Sequence, residues 1–118
     1  MKNVKKIGEL GENYAKKFLI NNGHEIISTN YRCRTGEIDI IAKEQNYIVF
    51  VEVKYRRNLR YGYPRESVNL KKQNKIKSTA IFYIASENIV NTGFRFDVIE
   101  IMQVSKSEIK IEHIKNAF

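Results

Sequence analysis

The sequence predicts an α/β domain with a central mixed β-sheet flanked by helices, in the order α-β-β-β-α-β-β. Three observations predict it. The segment 47–55 (YIVFVEVKY) is apolar on both faces up to Glu52, the pattern of a central strand covered on two sides. Two long segments, 8–22 and 67–86, repeat apolar residues at helical spacing. The remaining apolar runs are short and bounded by polar turns, as strands are. A length of 118 residues fits one domain, 1–118, and 42% apolar residues supply a core.

In order along the chain, the first helix is carried by Leu10, Tyr14 and Phe18 at i, i+4, i+8, with Ala15 and Leu19 beside them. Gly23 is its stop signal. Gly8, Gly11 and Ala15 cluster on one side, where a second element can approach closely. Glu12 lies at the border of that side, half-turned toward the core. Residues 25–31 form the first strand. Residues 36–42 (GEIDIIA) and 47–55 form a hairpin. Pro64 and Ser67 open the second helix, whose inner face is Ile76, Ala80, Tyr83 and Ile84. Residues 94–101 and 108–114 are the last two strands.

Nothing in the chain approaches a membrane span, and the basic start lacks the apolar stretch of a signal peptide. The single cysteine, Cys33, excludes an internal disulfide and a multi-thiolate zinc site, and it reads as a passenger in a polar segment. A cytoplasmic protein without a membrane partner is expected. The net charge is +8, and it is localised. Between Val53 and Ala80 stand Lys54, Arg56, Arg57, Arg60, Arg65, Lys71, Lys72, Lys75 and Lys77 against Glu66, while the rest of the chain balances. Such a field suits a polyanion. A solubilising helix face accounts for the lysines but poorly for the loop 55–65, which holds four arginines and three tyrosines, Tyr61 among them. Arginine contacts phosphate in bidentate fashion and tyrosine stacks on unpaired bases.

The chemistry concentrates on the hairpin. Ile48, Phe50, Glu52 and Lys54 share one strand face. Two charges on an otherwise apolar strand need compensation by an opposite charge or a metal. If Lys43 pairs with Asn46 across a Glu44-Gln45 turn, Asp39 opposes Phe50 and Glu37 opposes Glu52. Asp39 and Glu52 are then diagonal neighbours on one face, about 7–8 Å apart. From there they can share one Mg²⁺ or Mn²⁺, with Lys54 beside them to position water or meet developing charge. A one-residue slip would put Asp39 on the wrong face. The bland alternative is a Glu52–Lys54 pair protecting an exposed edge.

Four segments together, G-E-x-x-A (Gly11, Glu12, Ala15), G-E-I-D (36–39), V-F-V-E-V-K (49–54) and R-F-D-V (95–98), make the sequence recognisable. It resembles the YraN-type (UPF0102) family, placed in the restriction-endonuclease-like PD-(D/E)xK superfamily. The resemblance implies that Asp39 is the motif aspartate and that Glu52 and Lys54 form its E-x-K. It is also similar to archaeal Holliday-junction resolvases, which carry a further glutamate on the first helix. Glu12 matches that position and becomes a candidate catalytic residue and metal ligand. Lys72 and Gln73 match a K-Q pair on the second helix. Ile38 replaces the motif proline. The implied activity is metal-dependent cleavage of DNA, with branched, Holliday-junction-like substrates suggested by the resolvase similarity alone. Two-fold junctions would call for a homodimer. The alternatives are a non-catalytic nucleic-acid-binding protein that keeps the fold, and an adaptor that meets an acidic protein. Asp97 is expected to be structural, pairing with a buried base or orienting the sheet, with a third metal ligand as the alternative. Glu37 is expected at the site or at its solvent rim. His24 reads as a turn residue, His113 has no evident partner, and Glu100 and Glu112 read as solvated.

Overall fold

The computed structural model describes the backbone of residues 4–56 and 68–118, with side chains from Leu10 onward. Arg57, Arg60, Tyr61 and Arg65 and the Pro64–Ser67 segment lie outside the described residues, as do the surroundings of Gly8. The elements are α1 (Val4–Asn21), β1 (Glu25–Cys33), β2 (Gly36–Glu44), β3 (Tyr47–Arg56), α2 (Leu70–Ser86), β4 (Gly93–Gln103) and β5 (Ile109–Ile114), in the predicted order. The strands form one sheet in sequence order, β1-β2-β3-β4-β5. Every neighbouring pair is antiparallel except β3 and β4, which run parallel with α2 as their crossover. Two helices on a five-stranded mixed sheet are compatible with a restriction-endonuclease-like fold.

Both helices end on a residue in the left-handed region. At α1 this is Gly23 (φ +86°), where the His24 N–H donates to the Leu19 carbonyl at 2.9 Å and the Gly23 N–H to the Ile20 carbonyl at 3.2 Å. At α2 it is Asn88 (φ +51°), with the Ile89 N–H on the Ile84 carbonyl at 3.1 Å. The α2 start differs from expectation. Leu70 is the first helical residue, because Asn69 caps the helix by accepting from the Lys72 N–H at 2.9 Å.

The sheet carries a core on each face. Ala15 and Leu19 of α1 pack on Ile40, Ala42, Val49, Val51, Ile99 and Ile101. Ile76, Ala80 and Tyr83 of α2 pack with Ile41, Ile48 and Phe50. β3 is therefore covered on both sides, as its composition requires. At Gly11 an added Cβ would meet the Tyr55 Cβ at 3.3 Å, so the glycine lets α1 lie close on β3. Leu10, expected in the core, is 44% exposed.

The hairpin register is a correction. Glu44 pairs with Tyr47, so the turn is Gln45-Asn46, with Gln45 at φ +51°. Gln45 is not a residue that announces a left-handed turn position. The whole ladder is displaced by two residues from the expected one. A shift of two leaves every side chain on its face.

Candidate active site

The β2–β3 ladder runs to Ile40↔Val51 and stops. Extending it by one pair sets Asp39 directly opposite Glu52, where the expected register made them diagonal. Glu37 is not opposite Glu52. It is exposed and pairs with Arg32, whose Nε lies 3.1 Å from its Oε2. Beyond the last ladder pair the strands open. The Asp39 carboxylate enters the gap and accepts the Val53 N–H at 2.8 Å. On its other side the β1 register would place Asn30, which adopts φ +53°, a left-handed kink in mid-strand. Asp39 thus takes the place of a backbone acceptor, and its position is set by the sheet.

Asp39 and Glu52 line one pocket of about 260 Å³, together with Gly36, Glu37, Lys72, Lys75 and Ile76. Glu52 is 7% exposed. Its Oε1 meets two ammonium groups, Lys72 Nζ at 2.8 Å and Lys54 Nζ at 3.6 Å. Burial, and then the neighbouring Glu52 charge, raise the Asp39 pKa from 3.8 to about 7. The Val53 N–H and Lys72 work in the opposite direction. Burial and the adjacent Lys72 hold Lys54 below the ordinary lysine value. Lys72 is held above it: burial pulls it down, but the hydrogen bonds to Glu52 and Lys54 and the charges of Glu52 and Asp39 together outweigh that.

Four of the sequence-predicted residues therefore converge: Asp39, Glu52, Lys54 and Lys72. Lys75 lines the same pocket. Glu12 sits on α1 and accepts from Asn30 Nδ2 at 2.9 Å. Among the described residues no three acidic, histidine or cysteine side chains come close enough to hold one metal ion. Glu12 is thus not gathered with Asp39 and Glu52 into a three-acid cluster. Lys71 is exposed beyond the pocket, and Gln73 turns its Nε2 back to the Val68 carbonyl at 3.1 Å. Arg56 closes β3 and is half-buried.

A second polar cluster surrounds the fully buried Asp97. It accepts from Arg95 Nε at 2.9 Å, Arg95 Nη2 at 3.0 Å and the Asn116 N–H at 3.1 Å, and it lies 2.6 Å from His113 Nε2. Arg95 also reaches Glu44 Oε1 at 2.9 Å. Asp97 is structural, as expected, and it is the partner that His113 lacked. His24 corrects the turn reading: it is 5% exposed, with Nε2 3.6 Å from Glu44 Oε1 and its ring 5.7 Å from that of His113. Glu100 corrects another. It is 4% exposed, because β4 is an interior strand between β3 and β5. The Cys33 Sγ lies 3.1 Å from Thr35 Oγ1.

The model of the uncharacterised protein family UPF0102 matches residues 11–101, which include α1's Glu12, the hairpin and α2. The chain belongs to the UPF0102 family. Its relatives agree along their whole length. A UPF0102 protein of Caldicellulosiruptor bescii is 53% identical, covering 98% of this chain and 99% of its own. One of Clostridioides difficile is 49% identical over the same shares. No helix among the described residues is long and apolar enough to cross a membrane.

Proposed function

We propose that this UPF0102 protein is a metal-dependent endonuclease that hydrolyses DNA phosphodiester bonds, with branched, Holliday-junction-like DNA as the substrate to test first. One observation carries the reading: two carboxylates from adjacent strands, Asp39 and Glu52, line a single pocket with the Lys54 ammonium 3.6 Å from one of them. The donor set fits a divalent cation. Both ligands are hard oxygen donors, and burial together with the neighbouring Glu52 charge, which a cation would offset, raises the Asp39 pKa. Asp39 and Glu52 would hold it. Bound Mg²⁺ or Mn²⁺ would polarise a phosphoryl oxygen and acidify a coordinated water.

The chain's own residues supply the rest. The sheet fixes Asp39 through the Val53 N–H, so the ligand is held before substrate arrives. Lys54 stands where an ammonium can meet the charge that builds on the phosphoryl oxygens. Lys72, bound to Glu52 in the free protein, is a second cation at the mouth of the pocket. Arg56 and Lys71 extend the positive field outside it.

A second reading is a nucleic-acid-binding protein without catalysis. The Lys72–Glu52 contact at 2.8 Å favours it, because an ammonium there already neutralises one of the two carboxylates. One experiment separates the two. Labelled four-way junction, flap, single-stranded and duplex DNA are incubated with the protein and Mg²⁺, Mn²⁺ or chelator. The nuclease reading expects metal-dependent cleavage that Glu52→Ala and Lys54→Ala both abolish. Binding without cleavage on every substrate supports the second reading.

A further inference from the structure

Next to the Asp39–Glu52 pocket lies a second concavity, a shallow groove of about 340 Å³ lined by Thr35, Lys71, Asn74, Lys75 and Ser78. Lys75 lines both, so the two are neighbours on either side of one side chain. The four α2 residues follow the spacing i, i+3, i+4, i+7 along one helix face. The wall opposite is the β1–β2 turn, and it is fastened in place. Thr79 donates its hydroxyl hydrogen to the Lys75 carbonyl at 2.8 Å. A hydroxyl has one hydrogen to give. Thr35, 3.0 Å from Thr79 Oγ1, is therefore the donor in that pair, and the turn is tied to α2. Gly36 allows the approach, since a Cβ there would stand 3.0 Å from Thr79 Oγ1. The groove is thus formed before any ligand arrives.

Its chemistry is uniform. The lining offers two ammonium groups, one carboxamide and hydroxyls, with no aromatic or large apolar side chain. The helix beneath, LKKQNKIKSTAIFYIAS, holds four lysines and no acid. Lysine, serine, threonine and asparagine are the residues that contact phosphate and sugar. The absence of a ring removes the stacking that holds unpaired bases. Lys71 and Ser78 lie about 10 Å apart along the helix axis at about 1.5 Å per residue. That length accommodates two neighbouring phosphates of one B-form strand, whose separation along the strand is about twice the axial rise of about 3.4 Å.

The geometry points to a backbone-tracking subsite: the groove holds the phosphodiester backbone of duplex DNA flanking the cut position, without reading its sequence. Its place beside the cut rests on the nuclease reading, whereas its binding chemistry does not. The test is DNA binding by the full chain in chelator, where no cleavage occurs. A fluorescein-labelled duplex of mixed sequence is titrated at a series of salt concentrations. Lys71→Ala with Lys75→Ala is expected to flatten the plot of log affinity against log salt by about 1.8, two contacts at about 0.9 each. Asn74→Ala with Ser78→Ala is expected to weaken binding about fivefold or more with the slope unchanged. Scrambling the duplex sequence is expected to change affinity less than twofold. The exposed pair Lys106→Ala with Lys110→Ala controls for loss of charge alone.

An equal loss in that control overturns the subsite. So does an unchanged slope in the α2 variant, a strong dependence on sequence, or polyglutamate competing as well as DNA at equal charge. Wild-type protein that binds DNA in this way yet cuts nothing with Mg²⁺ or Mn²⁺ sinks the nuclease reading and leaves the groove assignment standing.

Discussion

Asp39→Asn is expected to stabilise the metal-free protein. Asp39 is an acid whose pKa is raised from 3.8 to about 7 by burial and by the Glu52 charge. A raised folded-state value means that the unfolded chain gives up the proton first. The Asp39 contribution is therefore fully present below about pH 4 and is lost in part as pH rises toward 7. At about 1.4 kcal/mol per pH unit, the loss at pH 8 is at most about 4 kcal/mol. Side-chain relaxation and water entry bring the expected value nearer to about 2 kcal/mol. Asparagine keeps an oxygen to accept the Val53 N–H, so the local hydrogen bond survives. The assay is urea unfolding in chelator at pH 4.5 and pH 8. The variant should match the wild type closely at the lower pH and exceed it at the higher. A variant less stable at pH 8, or a difference independent of pH, would show that Asp39 is not under charge strain. The coupling between the two carboxylates would fall with it.

Further predictions address other parts of the molecule. Lys72→Ala should tighten Mg²⁺ binding about fivefold by removing an ammonium from Glu52, measured by calorimetry, while weakening DNA binding; loss of both affinities would refute that role. Asp97→Asn should cost about 3–5 kcal/mol in urea unfolding, because it leaves Arg95 buried with its main partner gone; a loss below about 1 kcal/mol would mean the cluster contributes little. Burial lowers the His24 pKa from 6.5, so the unfolded chain binds that proton first and stability should fall as pH drops below about 6.5. His24→Phe should remove that part of the acid sensitivity in thermal melts. Asp97, held below 3.8 because its bonds to His113 and Arg95 outweigh its burial, adds a second loss below about pH 4.

The parts of the fold legible in the sequence are those set by periodicity. β3 shows no polar face until Glu52, and it lies between two cores. The expectation that Asp39 and Glu52 share a face survived a register error of two residues, because side-chain direction has a period of two. What could not be read depended on partners far apart in sequence. Lys72 was singled out among four helical lysines only by the K-Q resemblance, and its contact with Glu52 arises because α2 crosses the β2–β3 surface, which no local spacing announces. Asp97, His113 and His24 come from β4, β5 and the α1–β1 junction, so no local spacing announces them. A signal for Glu100 was present: FRFDVIEIM runs through it with apolar residues on both sides, as in β3. The Gln45 turn and the Asn69 cap were missed for a third reason, because competing turn residues stood within a few positions of each.

The central claim is that Asp39 and Glu52 hold one divalent ion between them. Titration of Mn²⁺ followed by electron paramagnetic resonance tests it on the full chain without requiring activity. The account predicts one bound ion per chain in the wild type, lost alike in Asp39→Asn and in Glu52→Gln. Equal Mn²⁺ binding by both variants and the wild type would contradict it.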